Sequence, residues 1–236
     1  MDVGALLKVP EPVQRPSVTD AVFEELHRQI LSLDLPPGTK VSEVDVARIM
    51  GVSRQPVRDA FYRLSTLGFL TIRPQRATVV SAISEAAVMQ ARFIRSAIEA
   101  ETVRMACERL GEGDFVVLDK VLDEQRAAVE ARDAMGFHAL DDLFHREICA
   151  RSGHGFAWDI IRENKAHMDR VRFLSLAFAS QDAFDDHLKV MEALRARDAP
   201  RAVAAMHVHL SRIKVQMRRI RGENEAFFEG APVLDF

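Results

Sequence analysis

Four polar residues in the second half of the chain have the side chains and the spacing of a metal site. Asp141 and His145 are four residues apart in a helical stretch, so they lie on one face of that helix. His187 and His209 lie in two later helical stretches. Three imidazoles and one carboxylate are ligands that Zn²⁺, Ni²⁺ or a related divalent ion accepts. The same side chains could equally be isolated core or surface groups, because a sequence does not show whether three helices converge.

A second set of polar residues, near the N-terminus, has the pattern of a DNA-reading helix. In residues 52–68, VSRQPVRDAFYRLSTLG, apolar residues recur at helical spacing and predict a buried stripe of Val57, Ala60, Phe61, Leu64 and Leu67. Ser53 is the expected N-cap. Arg54, Gln55 and Arg58 lie in the first turns, away from the stripe. Such side chains suit the major groove, where they bind base edges and phosphates. An ordinary amphipathic surface helix would show the same stripe.

Charge is distributed unevenly between these two regions. The 236 residues are 48% hydrophobic and 28% charged, as in an ordinary globular protein, and the formal net charge is −3. The first 80 residues carry a net charge of +1 and the remainder −4, and five arginines against one acid fall within residues 54–76. Positive charge is therefore concentrated on the arginine-bearing helix, and the acidic second region is expected to serve another purpose.

Composition also predicts the cellular compartment. No apolar run approaches the roughly 20 residues that span a bilayer, and the N-terminus lacks the basic and apolar pattern of a signal peptide. The two cysteines, Cys107 and Cys149, lie in apolar helical contexts and are expected to be buried and reduced. These features predict a cytoplasmic protein with no membrane partner.

The first region, residues 17–80, is expected to fold as a winged helix-turn-helix. A first helix ends at the breaker sequence LDLPPG, and a short second helix runs from Ser42 to a turn at Gly51. The arginine-bearing helix follows that turn, as in a helix-turn-helix. Two β-prone runs then flank residues 73–76 and predict a hairpin whose tip carries Arg76. Residues 1–16 are expected to form an N-terminal tail.

The second region, residues 84–221, is expected to be an all-helical antiparallel bundle. Helical periodicity predicts helices near residues 84–110, 112–132, 134–151, 155–178, 182–197 and 199–220. Short breaks separate them, including one at residues 180–182, and short connections favour antiparallel neighbours. Residues 222–236 are expected to form a C-terminal tail. The chain as a whole is therefore predicted to be mainly α.

The first region resembles the DNA-binding domain of the GntR family of bacterial transcription regulators. The resemblance covers LDLPPGTKVSEVDVARIMGVSRQPVRDAFYRLSTLGFLTIRPQRATVV, in which VSRQPVRDAFYRL is close to the family signature VSRTPVREAL. It implies contacts to double-stranded operator DNA from Arg54, Gln55, Arg58 and, in the wing, Arg76. It also implies a homodimer that places two recognition helices in successive major grooves.

The second region is similar to the FCD domain, the helical effector domain of the FadR subfamily of GntR regulators. The similarity lies in D-x3-H at residues 141–145, a histidine at 187, and the "HL" pair at 209–210. It implies that Asp141, His145, His187 and His209 hold a divalent ion, with zinc or nickel as the expected metal. The neighbouring His138 and His207 do not match the ligand positions of the family.

The same resemblance implies an effector site beside the metal. Arg95 matches a family arginine that is followed four residues later by an acid, here Glu99, and a guanidinium fork binds a carboxylate through two hydrogen bonds. A small organic or sugar acid is the implied effector, with Arg172 and Asn164 as further candidate contacts. A simple Arg95–Glu99 surface pair would explain the same two residues.

These features together predict a ligand-responsive transcription regulator, and the resemblance favours a repressor. One alternative is a regulator in which the divalent ion itself is the signal. Another is a helical metalloenzyme. Catalysis is not expected, because the sequence holds no H-E-x-x-H motif, no nucleophile with a paired base and no glycine-rich phosphate loop in the bundle region.

Overall fold

The computed structural model describes residues 17–73 and 77–230. The chain divides into two units: the first takes residues up to Arg28 and Lys40–Val79, and the second takes Gln29–Thr39 and the residues from Val80 onward. Helices dominate both, so the prediction of a mainly α chain is confirmed. None of the helices in these ranges has both the length and the apolar character needed to cross a membrane.

The N-terminal elements form three helices and a small sheet. They are α1 (Val18–Leu31), β1 (Lys40–Val41), α2 (Glu43–Met50), α3 (Arg54–Thr66), β2 (Leu70–Thr71) and β3 (Thr78–Val80). The strand order is β1-β3-β2, and β1 runs antiparallel to β3 with Lys40 opposite Val79. The sequence predicted only the hairpin of β2 and β3, and the structure adds β1 as a third strand. The tip of that hairpin, which carries Arg76, lies outside the described residues.

The turn between α2 and α3 forms as expected, but one cap differs. Gly51 adopts a φ of 67°, which favours glycine, and its N–H bonds the last carbonyls of α2. Ser53 occupies the N-cap position of α3, yet its hydroxyl accepts no capping hydrogen bond. One usual donor is missing, because the third helical residue is Pro56, which has no N–H.

The predicted apolar stripe of α3 is buried, with one exception. Val57, Ala60, Phe61 and Leu64 are at most 1% exposed, whereas Leu67 is 44% exposed. Leu67 follows the last helical residue and is the C-cap, so helical spacing no longer sets its direction. The stripe therefore ends one turn earlier than predicted.

In its described residues, the second unit is a bundle of six α-helices. They are α4 (Glu85–Arg109), α5 (Glu112–Glu130), α6 (Ala134–Arg151), α7 (Gly155–Asn164), α8 (Ala166–Arg195) and α9 (Ala199–Glu223). Helix α9 packs against α4 and α8, and α5 packs against α6. Buried apolar side chains from α4, α5, α6, α8 and α9 form one continuous core. Both cysteines are buried free thiols.

The predicted helix break at residues 180–182 is wrong. Helix α8 continues through it, and the chain breaks instead at Lys165, between α7 and α8. Ser180 and Gln181 are compatible with a helix, because their side chains bond Leu176 and Asp185 four residues away on the same helix. The ammonium of Lys165 is buried between Asp142 and Asp169, which is a tertiary contact that periodicity does not reveal.

Part of the segment expected as a C-terminal tail packs on the second unit. A short 3-10 turn, Glu225–Phe227, follows α9, and Phe228 forms a parallel bridge with Ile83. Arg221 bonds the carboxylate of Glu85 at 2.8 Å, and both side chains are buried. Residues 1–16 and 231–236 lie outside the described residues.

Candidate functional site

Asp141 and His145 on α6, His187 on α8 and His209 on α9 converge inside the second unit. All four are buried, and one ligand atom from each lies within 4.8 Å of the other three. The Nε2 atoms of His145 and His209 are 3.2 Å apart. The Nε2 atom of His187 lies 3.5 Å from Oδ1 of Asp141. Three helices therefore bring the predicted ligand set together.

The environment keeps these groups in the protonation states that a metal requires. Burial lowers the pKa of His187 to about 3 and that of His209 well below its usual value. Burial alone would raise the pKa of Asp141, but the guanidinium of Arg172 and the neighbouring imidazoles hold it well below its ordinary range. At neutral pH these two imidazoles are neutral and the carboxylate is ionised, as metal ligation demands.

The donor set fits a divalent transition metal. Two nitrogen ligands of a tetrahedral zinc ion, each roughly 2.0 Å from the metal, are about 3.3 Å apart. The 3.2 Å between the Nε2 atoms of His145 and His209 is close to that separation. The Nε2 atom of His187 is buried and has no hydrogen-bond partner among the described residues. A cation between these atoms would satisfy them, because buried polar atoms are normally paired.

A ring of polar side chains surrounds the cluster. Glu99, held by Arg95, lies with Oε2 2.5 Å from Nδ1 of His145. Burial raises the pKa of Glu99, but the Arg95 guanidinium and the His145 imidazole lower it further, so that the pKa is about 2. On the other side, Arg172 bonds Asp141 and also contacts Asp142 and Asp169, at 3.2 and 3.1 Å.

A small cavity adjoins the cluster. It measures about 40 Å³, and its lining includes Arg95, Asp141, Arg172, His209, Arg212 and Gln216. Arg172 and Arg212 are engaged with carboxylates, whereas Arg95 keeps a buried Nη2 with no hydrogen-bond partner among the described residues. The cavity is far smaller than the roughly 150 Å³ that accepts benzene. Its volume in this conformation is enough for an ion or a few waters.

The predicted DNA-reading residues are exposed on α3. The side chains of Arg54 and Arg58 are 59% and 58% exposed, and both approach Glu43 of α2, at 3.7 and 3.5 Å. The amide of Gln55 bonds Asp59 at 2.8 Å. These three side chains are free to exchange such surface contacts for a polyanion, since exposed ion pairs contribute little.

Two family models match this chain. Residues 18–80 match the bacterial regulatory proteins of the gntR family, and residues 90–212 match the FCD domain. A curated relative, the HTH-type transcriptional repressor RspR of Escherichia coli K12, is 38% identical over 230 residues. The alignment covers 97% of this chain and 99% of the relative. The chain belongs to the GntR family of bacterial transcriptional regulators.

Further comparisons agree with this GntR assignment. The probable D-xylose utilization operon transcriptional repressor of Paenarthrobacter nicotinovorans is 28% identical, with 84% of this chain and 87% of the relative covered. The solved structure of Escherichia coli McbR/YncC has a TM-score of 0.71 at 22% identity, covering 87% of this chain and 99% of that one. The structural likeness shows the fold alone. The family and its named relatives are transcriptional regulators, not enzymes.

Two of the three predicted effector residues line the cavity, and the third does not. Arg95 and Arg172 line the cavity. Asn164 is absent from the lining and lies at the end of α7, where its amide bonds the carbonyl of Ile160. The alternative of a surface Arg95–Glu99 pair is wrong, because these residues are 2% and 1% exposed. Effector binding by all three candidates stays a prediction.

The two rejected histidines lie apart from the ligand set. His207 is exposed on α9, although it is only two residues from His209. His138 is largely buried on α6, with its ring 4.7 Å from the ring of Phe173, and burial lowers its pKa to about 4. Neither belongs to the group that could hold a metal within the described part of the chain.

Several polar residues around the cluster escaped the sequence analysis. Gln125 is fully buried and contacts His187, and Lys165 joins Asp142 and Asp169. Lys165 carries no local signal of burial, because Asp142 lies on another helix and an aspartate four residues away, like Asp169, is equally common in exposed ion pairs. Gln125 does carry one, since it interrupts the apolar face of α5, which is otherwise formed by Phe115, Leu118, Val121, Leu122 and Ala128. A glutamine on a buried stripe needs a specific partner.

Proposed function

We propose that this chain is a transcriptional repressor that responds to a small organic or sugar acid at a metal-containing site. Residues 17–80 bind operator DNA, and residues 84–221 hold the metal and the effector. The observation that carries the proposal is the cavity lined by Asp141, His209 and Arg95, together with the buried Nη2 of Arg95, which has no hydrogen-bond partner among the described residues. An anion-binding group and a metal-ligand cluster face the same small space.

Asp141, His145, His187 and His209 would hold the divalent ion, zinc or nickel. A bound ion that accepts more than four ligands would also attract a carboxylate oxygen of the effector. Arg95 binds the same carboxylate through its free Nη2, and its pairing with Glu99 keeps the guanidinium in place. Arg172 is the second cationic contact, and Asn164 approaches only if α7 moves. Three guanidiniums around the cavity, from Arg95, Arg172 and Arg212, favour an anionic effector.

Arg54, Gln55 and Arg58 contact the operator, and Arg76 contacts it from the wing. Two subunits pair as a homodimer on a pseudo-palindromic site in the cytoplasm, as the family is typically dimeric and DNA-binding. An effector larger than the 40 Å³ cavity must displace helix α9 or the side chains of α8. That repacking is the step that changes operator affinity, and couplings of about 1–3 kcal/mol are typical, or roughly 5–150-fold.

One observation favours a second function, in which the metal itself is the signal. The cavity is large enough for an ion with its waters but too small for a sugar acid. In that case operator affinity would change when the metal is removed and restored, without any acid present.

The experiment that tests the proposed function is a thermal-shift screen of the metal-loaded protein against sugar acids, hydroxy acids and dicarboxylates. A ligand that binds only the native state raises the melting temperature. We expect a shift with one chemical class, and its loss in Arg95→Met and in metal-depleted protein. A flat response across the library, combined with an operator affinity that follows the metal alone, would leave the metal-sensor function in its place.

A further inference from the structure

The three imidazoles of the cluster differ in what holds their outer nitrogen, Nδ1. The Nδ1 atom of His145 faces the Glu99 carboxylate at 2.5 Å, and that of His187 lies 2.8 Å from Oε1 of Gln125. The Nδ1 atom of His209 is buried and has no hydrogen-bond partner among the described residues. The contact made by Gln125 is unusual, because an uncharged amide on a different helix sets the environment of a ligand.

The orientation of the Gln125 amide is fixed by a second hydrogen bond. Gln125 lies on α5 and is fully buried. Its Nε2 donates to the backbone carbonyl of Leu140 on α6 at 2.9 Å. A carbonyl only accepts, so reversing the amide would place two oxygens against each other. The Oε1 atom of Gln125 must therefore face His187.

This orientation decides which nitrogen of His187 carries the proton. Oε1 only accepts, so Nδ1 of His187 must donate. An imidazole that binds a metal is neutral and carries a single N–H. Nε2 therefore presents its lone pair to Asp141 and the other two histidines.

Without Gln125 the opposite tautomer has a clear advantage. Nε2 of His187 lies 3.5 Å from Oδ1 of Asp141, so a proton on Nε2 could be donated to that carboxylate. Such a hydrogen bond would occupy the lone pair of one metal ligand and an oxygen of another. Gln125 opposes this hydrogen bond, because its Oε1 accepts the single N–H of the imidazole at Nδ1, on the other side of the ring.

We propose that Gln125 is a positioning residue of the metal site, which fixes the tautomer of His187 so that Nε2 is available as a ligand. The inference rests on the proposed metal site. Gln125 also anchors the carbonyl of Leu140, the residue before Asp141, and so links the α5 side chain to ligands on two helices. Outer-shell partners of this kind typically change metal affinity 10–100-fold.

Two substitutions at residue 125 separate the hydrogen bond from packing. Gln125→Met has nearly the same length and volume but removes both hydrogen bonds. Gln125→Glu restores an acceptor for Nδ1 of His187 while it loses the bond to Leu140. Gln181→Met on α8 is the matched control, because Gln181 is exposed and, among the described residues, its side chain bonds Asp185 alone. Thermal melts of all the variants establish that they fold.

The first readout is the tautomer of His187, measured by nitrogen-15 NMR of histidine-labelled, metal-free protein. We expect the proton on Nδ1 in the wild type, in Gln125→Glu and in the control. In Gln125→Met we expect it to shift to Nε2 or to divide between the two nitrogens. An unchanged tautomer in Gln125→Met would overturn the inference, and this readout does not depend on any metal.

The second readout is zinc affinity, measured by competition with a chromophoric chelator. We expect Gln125→Met to bind zinc about 10–100-fold more weakly than the wild type. Gln125→Glu is expected to stay within a few-fold of it, and the control to be unchanged. Equal losses in Gln125→Met and Gln125→Glu would assign the effect to the bond with Leu140, which both variants lack, and would contradict the inference. Failure of the wild type to bind zinc would instead contradict the proposed metal site.

Discussion

At the scale of single residues, membership of the candidate metal-binding cluster depends on which histidine of a close pair faces inward. His207 and His209 are two positions apart on α9, and a helix turns about 200° over that interval. His209 is 8% exposed and joins the cluster, whereas His207 lies on the solvent side. Residue type and local sequence are nearly the same at both positions. Burial and convergence with α6 and α8 make the difference.

This contrast gives a matched pair of substitutions. His209→Ala should weaken zinc binding by more than the roughly 10–100-fold caused by loss of an outer-shell partner, because it removes a ligand itself. His207→Ala should leave the affinity unchanged. Chelator competition on the purified variants measures both. Equal affinities for the two variants would exclude His209 from the site.

The candidate ligand residues could be predicted from the sequence, and the partners of the polar residues around them could not. Asp141 and His145 share a helix face by their spacing alone, so half of the cluster follows from local geometry. Pairing them with His187 and His209 required the family resemblance. The roles of Arg172 and Gln125 depend on contacts between residues 31 and 62 positions apart, which no local pattern contains.

At the scale of elements, α3 is positioned by its apolar stripe and leaves its arginines to solvent. Four stripe residues are buried almost completely, so the helix cannot rotate without exposing them. Arg54 and Arg58 share Glu43 as a partner, at 3.7 and 3.5 Å. That carboxylate holds both guanidiniums near the start of the helix, where exposed N–H groups also favour phosphate.

The arginines of α3 can be tested on an operator selected from random DNA with the wild-type protein. Arg58→Ala should weaken operator binding by about 1–3 kcal/mol, or roughly 5–150-fold, and reduce its salt dependence. Arg162→Ala is the control, because Arg162 is equally exposed but lies on α7. Electrophoretic mobility shifts at several salt concentrations give both quantities. Wild-type affinity in Arg58→Ala would mean that α3 does not read the operator through this residue.

The bounds of the elements were predictable wherever a local signal sets them. Asp133 and Asp198 cap α6 and α9 by accepting the N–H groups of Gly136 and Arg201, which is the usual role of an aspartate before a helix. The boundary between α7 and α8 was not predictable, because it falls at Lys165 and not at the polar residues 180–182. A buried ammonium with two carboxylate partners belongs to tertiary structure, which overrides the local preference for a break at polar residues.

At the scale of the whole molecule, the two candidate sites lie in different units. The four candidate metal ligands all belong to the second unit, and the exposed arginines of α3 belong to the first. A metal that binds only the native state stabilises the unit that supplies its ligands, by about 2.7 kcal/mol at 100 times the dissociation constant. Multidomain chains need not unfold in one step, so the effect can be assigned to a unit.

Zinc should therefore raise the melting temperature of the helical unit by about 5–10 °C at that excess, since each kcal/mol shifts a domain of this size by roughly 2–4 °C. Scanning calorimetry of the full chain with and without zinc measures the shift. Hydrogen exchange of α6, α8 and α9 assigns it, because amides near the ligands should exchange more slowly. In Asp141→Asn the carboxylate charge is lost, and most of the zinc-induced shift should disappear. A zinc shift that persists in Asp141→Asn and protects α2 and α3 alone would place the metal elsewhere in the chain.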